Sequence, residues 1–220
     1  MRTPEYPMIP ISKRWPATAL LAALLQADPL HAGTVLENDY VRVSRDEAPC
    51  AQGSTPGCAE RVIVAMGEID LRFGKVLRAM RRGEVAVFRA GESYKAPEAG
   101  AYFEVAIKPN RPPVKSPAEI IPPAKNTIVY EGERFFIYEE RLAPGDTRER
   151  HSHSQRVEIR INQGPLLRQI IDGKDAPQEP PSVVNFREPI IHAVTNVGDM
   201  ALWNFILEFK PEGRAGASPK

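Results

Sequence analysis

The stretch Gly145-Asp-Thr-Arg-Glu-Arg-His151-Ser-His153-Ser-Gln-Arg-Val-Glu158, with Gly164 closing a turn after it, decides how the chain is read. In an extended strand, residues two apart point to the same face, so His151 and His153 present two imidazoles into one space. His192 comes later, at the start of another strand, behind Pro189. A third imidazole brought onto the same ion makes a metal site with open positions, because the metals that suit these ligands take four to six donors. The chain has four histidines. His31 sits beside the N-terminal leader, and the other three are those just named. A lone histidine is more often a surface imidazole, but three at this spacing on a β-rich chain point to a metal.

Working outward, the sequence is a series of short alternating apolar runs separated by turn residues, the pattern of antiparallel β-structure. Val41-Arg-Val43, Arg61-Val-Ile-Val-Ala65, Ile69-Asp-Leu-Arg-Phe73 and Val85-Ala-Val-Phe88 are examples. The 22 prolines against 15 glycines agree, since proline is confined to turns, strand ends and edges. The expected fold class is therefore all-β. Residues 108–126 hold Pro109, Pro112, Pro113, Pro117, Pro122 and Pro123, too many for a continuous strand or helix, and read as a semi-rigid linker.

The β-rich stretches on either side of that linker resemble one another. Ala48-Pro49 leads to Arg61-Val62 as Ala143-Pro144 leads to Arg156-Val157, at the same spacing. Tyr94-Lys-Ala-Pro-Glu98-Ala-Gly100 lines up with His192-Ala-Val-Thr-Asn196-Val-Gly198, and each half closes with Lys-Pro, at Lys108-Pro109 and Lys210-Pro211. Four matches in one order indicate duplication of a unit. The expected organisation is a leader over 1–32, a first β-domain over 33–108, the linker at 109–126, a second β-domain over 127–210, and a small polar tail over 211–220 expected to be disordered. In the first half, the positions of His151, His153, Glu158 and His192 fall to Pro56, Cys58, Ile63 and Tyr94, so the site is expected only in the second.

The spacing Gly, five residues, His-x-His, four residues, Glu, five residues, Gly resembles the first sequence motif of the cupin superfamily, which has a slightly longer last gap. Pro189-Ile-Ile-His192-Ala-Val-Thr-Asn196 is similar to the second motif. It departs from it in lacking the glycine between proline and histidine and in the proline's displacement by two. The resemblance covers both β-rich halves. It implies two jelly-roll barrels in tandem, a bicupin, with a divalent transition metal (iron, manganese, zinc, nickel or copper) in the mouth of the second. Carried over residue by residue, it makes His151, His153, His192 and Glu158 the metal ligands. The strand itself leaves Glu158 open. Val157, Ile159 and Ile161 alternate with Glu158, Arg160 and Asn162, so one set faces into the barrel and the other away from it. If the polar set faces in, Glu158 can ligate or accept a proton as a catalytic residue, and Arg160 can pair with an anionic substrate. If the apolar set faces in, the site is three histidines plus water, and Arg160 is a solvated strand residue.

Cupins include dioxygenases, isomerases, decarboxylases, sensors and storage proteins, and the fold does not choose among them. Two expectations stand side by side. One is a metal-dependent enzyme of dioxygenase or isomerase type acting on a small polar or anionic molecule. The other is a non-catalytic small-molecule-binding or structural bicupin whose metal stabilises the barrel. A copper store fits poorly, because the five methionines are scattered. A net charge of +1, without a basic stripe, gives nucleic acid no electrostatic footing. The resemblance also implies a homodimer joined through barrel edges.

Residues 1–32 read as an export signal: Lys13 and Arg14, the apolar run from Ala17 to Leu25, then Leu30-His31-Ala32 with a small residue before a cut. The apolar run is shorter than the roughly 20 residues a spanning helix needs. An N-terminal helix packed on the barrel, or a membrane anchor left uncleaved, is the competing reading. Export implies a periplasmic or secreted protein, with no membrane attachment once the signal is removed. The two cysteines suit an oxidising compartment: Cys50 and Cys58 flank a turn-rich stretch and are expected to form a disulfide.

Overall fold

Alternating β-branched and charged residues favour strands over helices, and all regular structure among the described residues of the computed structural model is β. It describes residues 32–53, 58–98, 100–124, 126–162, 164–178 and 182–211. All of the leader before Ala32 and nearly all of the tail lie outside the described residues, as does Pro56. Among the described residues no helix is long and apolar enough to cross a membrane.

The first half contributes β1 (Gly33–Glu37), β2 (Val41–Arg45), β3 (Arg61–Ala65), β4 (Ile69–Phe73), β5 (Val76–Met80), β6 (Val85–Phe88) and β7 (Tyr102–Ile107). The second contributes β8 (Asn126–Glu131), β9 (Phe135–Leu142), β10 (Thr147–His153), β11 (Arg156–Arg160), β12 (Leu167–Ile171), β13 (Lys174–Asp175), β14 (Val184–Arg187), β15 (Ile190–Asn196) and β16 (Leu202–Phe209). Each half has a five-stranded antiparallel sheet, ordered β1-β2-β7-β3-β6 and β14-β11-β16-β9-β8. The second half adds a four-stranded sheet, β10-β15-β12-β13. The first half has the β4–β5 hairpin and a single bridge between Arg72 and Lys95.

The two five-stranded sheets pack back to back. Val43, Val62, Val64, Phe103 and Val105 of the first sheet share one buried core with Ile137, Val157, Ile159, Phe205 and Leu207 of the second. This seam resolves the alternation along β11. Its apolar set, Val157, Ile159 and Ile161, is buried against the first half, and Glu158 and Arg160 of its polar set line the interior of the second barrel. Both faces of the strand are covered, so hydrophobic burial and an inward-facing Glu158 are compatible. The turn before β6 closes onto the same seam: Gly83, at φ 82°, lies so near the Trp203 ring that a Cβ there would collide with it.

The two barrels differ in what fills them. The inner face of the first carries Ile63, Leu71, Met80, Ala86, Phe88 and Tyr94, a closed apolar core. Cys50 and Cys58 form the expected disulfide, and the Cys50 amide donates to Glu104 at 3.0 Å. The proline-rich segment is laid against β10, the edge strand of the four-stranded sheet. Ser152 N–H donates to the Ile121 carbonyl at 2.9 Å, Ile121 N–H donates to Ser152 Oγ at 2.8 Å, and Lys115 N–H donates to Gln155 Oε1 at 3.0 Å. These bonds satisfy an edge that would otherwise stay open.

Ile159→Ala, which empties space at the seam without touching the barrel interior, is expected to cost about 2–5 kcal/mol, measurable by denaturant unfolding. Cys50→Ser is expected to cost about 2–3 kcal/mol in the same assay, because the loop it releases is short.

Candidate metal centre

Strand β10 does not alternate regularly. Its pairing with β15 slips between Arg148 and His151, leaving Glu149 and Arg150 both exposed while Arg148, His151 and His153 are buried. Such a bulge re-aims side chains. Here it brings His151 directly opposite His192 on β15, with His153 two residues on. The ring centroids lie 4.8 Å (His151–His153), 4.6 Å (His151–His192) and 5.4 Å (His153–His192) apart. One nitrogen from each ring falls within 4.8 Å of the others, and this is the cluster of potential metal ligands among the described residues.

Each ring is held by Nδ1. His151 Nδ1 lies 2.7 Å from the Glu149 carbonyl, and His192 Nδ1 lies 2.9 Å from Gln169 Oε1. His153 Nδ1 lies 2.8 Å from Glu208 Oε2 and 2.6 Å from the Tyr138 hydroxyl. Acceptors at Nδ1 place the proton there and leave the lone pair on Nε2. The Nε2 atoms of His151 and His192 are buried and have no hydrogen-bond partner among the described residues. A buried polar atom without a partner is costly. Three convergent imidazoles, two of them with orphaned Nε2 atoms, fit a divalent transition metal.

Electrostatics agree. Burial lowers His151 to about 4 and His192 to about 2, and drives His153 well below its ordinary value. All three rings are thus neutral at pH 7, the form that binds metal. Glu208 is pushed up to about 7, by burial first, against hydrogen bonds from Tyr138 and Ser154 that pull it down.

Beside His153 and His192 opens a cavity of about 530 Å³, lined also by Arg156, Glu158, Arg160 and Arg187, with Glu140, Asn204 and Ile206 on its wall. Glu158 does not join the histidine cluster. Its Oε1 accepts from Arg156 Nε at 3.0 Å and its Oε2 from Arg187 Nε at 3.0 Å. Burial opposes its ionisation, but the two guanidinium groups hold it below the usual carboxylate range. Arg160 lies on the cavity wall, paired in register with Asn204. Deeper in, Arg148 and Glu140 form a buried ion pair.

No family model and no curated protein matches the sequence. A solved structure matches in fold, and others align at lower TM-scores. AerE from Microcystis aeruginosa superposes with a TM-score of 0.52 over 79% of this chain and 88% of its own, at 15% identity. A cupin domain from Bordetella pertussis aligns at 25% identity and a TM-score of 0.35, over 43% of this chain and 99% of its own. A cupin 2 conserved barrel domain protein from Leptotrichia buccalis aligns at 13% identity and a TM-score of 0.47, over 82% and 88%.

The chain has the cupin fold. Its second cupin barrel holds the histidine triad, and the first has replaced each matching position that is described. Cys58 is tied into the disulfide, Ile63 is part of the apolar core, and Tyr94 donates its buried hydroxyl to Glu104. Sequence reading missed Glu208, Tyr138 and Gln169. For Glu208 a signal was present: a lone carboxylate in the apolar run Leu202-Trp-Asn-Phe-Ile-Leu-Glu-Phe209, in step with Asn204 and Ile206, which line the cavity. Tyr138 and Gln169 carry no such mark.

The depressed histidines make stability pH-dependent. A group lowered on folding stabilises fully above its unfolded value, near 6.5, and loses that contribution as pH falls toward the folded value. Metal-stripped protein is therefore expected to lose thermal stability between about pH 6.5 and 4. His192→Gln should flatten that slope in melting curves taken across the range, and an unchanged slope would contradict the neutral burial of His192.

Proposed function

We propose that the chain is an exported, metal-dependent bicupin enzyme acting on a small polar or anionic molecule in the second barrel, of dioxygenase or isomerase type. The observation that carries this reading is the pair of buried, partnerless Nε2 atoms on His151 and His192 opening beside a cavity lined by charged side chains. His151, His153 and His192 would hold one divalent transition metal through Nε2, leaving positions free for substrate. When bound, the metal supplies Lewis acidity toward a substrate oxygen or, if redox-active, electron transfer.

The residues of the chain provide the remainder. Arg160 and Arg187 on the wall offer planar donors to a carboxylate or a polar oxygen. Glu158, fixed between Arg156 and Arg187, keeps those guanidinium groups in place. As a carboxylate on this wall, with Glu140 already paired to Arg148, it is also the candidate to take a proton from bound substrate. The barrel interior keeps bulk water from the reacting face. The disulfide suits an oxidising compartment, which supports a periplasmic or secreted location. That location is checked by fractionation and by the N-terminal sequence of the mature protein.

The deciding experiment is elemental analysis of protein recovered from its native compartment, for wild type and for His151→Ala/His192→Ala. About one equivalent of iron, manganese, nickel, copper or zinc is expected in the wild type and none in the variant. Iron or manganese directs the search for turnover to oxygen uptake with small carboxylates, and zinc to isomerase assays. Metal-free wild type, or content unchanged by the substitutions, would overturn the metal site. Tight metal without turnover in either assay would favour a metal-stabilised binding protein.

A further inference from the structure

The three histidines are not held alike. His151 is anchored by a carbonyl of its own strand, and His192 by Gln169 on β12, in the same four-stranded sheet. His153 alone is anchored across the barrel, by Tyr138 on β9 and Glu208 on β16 of the opposite sheet. Glu208 is itself fixed on both oxygens. Its Oε1 accepts from Ser154 N–H at 2.7 Å, and its Oε2 accepts from the Tyr138 hydroxyl at 2.6 Å. The Tyr138 ring stacks on His153 at 6.0 Å between centroids and an interplanar angle of 15°.

Glu208 is also short of countercharge. It is buried, and the basic side chain bonded to it among the described residues is the neutral ring of His153, while the Arg156 guanidinium acts on it only through space. Its register neighbour Arg156 spends its donors on Glu158 and the Glu188 carbonyl. A buried carboxylate with only neutral donors is costly. A divalent ion on His153 Nε2 would neutralise it through the ring.

We infer that Glu208, fixed by Tyr138, is the positioning residue of the metal centre. It locks His153 in the Nδ1–H form, backs it with negative charge, and so sets the affinity of the site for divalent metal. The inference rests on the three-histidine reading. It goes beyond it by assigning the strength of the centre to a carboxylate that is not a ligand. An acceptor bonded to the far nitrogen of a metal-binding imidazole orients the ring and raises its basicity.

The test uses the full chain, stripped of metal and titrated with Zn²⁺ and Co²⁺ against a chromophoric chelator. The visible bands of bound Co²⁺ report ligand geometry, and circular dichroism reports folding. Glu208→Gln keeps the size and an acceptor but removes the charge, and is expected to weaken binding about 10- to 100-fold and to shift the Co²⁺ bands. Glu208→Asp, which restores the charge, should recover part of the affinity. Tyr138→Phe should produce a smaller loss. Glu208→Gln with wild-type affinity and an unchanged spectrum would overturn the inference while leaving the metal site intact. Should Glu208→Gln fail to fold, unchanged affinity and bands in Tyr138→Phe would overturn it equally. Wild type that takes up neither ion would overturn both this inference and the proposed site.

Discussion

The apolar seam between the two five-stranded sheets is the constraint on which the rest depends. A sheet needs one buried apolar face to repay the conformational entropy of ordering its strands. In a solitary barrel that face must be the interior. Here the second sheet buries Ile137, Val157, Ile159, Phe205 and Leu207 against the first half. Its inner face is thereby free to carry Arg156, Glu158, Arg160 and Asn204 around a cavity. The first half thus serves the site without touching it, by supplying the surface that makes a polar barrel interior stable.

The duplicated halves have diverged along that line. The first barrel is packed with aliphatic and aromatic side chains, and a disulfide and a Tyr94–Glu104 hydrogen bond tie it where the second has histidines. The cross-strand pair Ile63–Glu104 in the first barrel is mirrored as Glu158–Ile206 in the second, with the carboxylate moved to the other strand. In the first barrel it is consumed by an internal hydrogen bond, and in the second it braces two arginines at the cavity wall. Two sets of buried ions in the second barrel are paired, Arg148–Glu140 and Arg156–Glu158–Arg187, and Glu208 is the exception. Pairing of this kind lets a charged interior persist, because a single unpaired charge there would be strongly destabilising.

Much of this was legible in the sequence. Strand alternation, the internal repeat, the His-x-His spacing and the paired cysteines each rest on local periodicity or on one residue type, and such signals survive without tertiary context. The orientation of β11 was not legible, because alternation assigns residues to two faces without saying what covers each. The bulge that brings Arg148 onto the same face as His151 was equally hidden, since a register slip is settled by the partner strand. The proline-rich segment read as a spacer; its role in closing the edge of β10 depends on Ser152 and Gln155, which nothing local marks.

The sequence by itself determined an all-β chain of two related halves, the three imidazoles of the second half, and the disulfide of the first. These follow from side-chain type and spacing along the backbone. Only the tertiary structure decided which side chains support those imidazoles and where Glu158 spends its charge. Tyr138, Gln169 and Glu208 reach the histidines from three different strands, and Arg187 reaches Glu158 from a fourth. Contacts of that kind are set by how sheets close on one another, which no short stretch of sequence encodes.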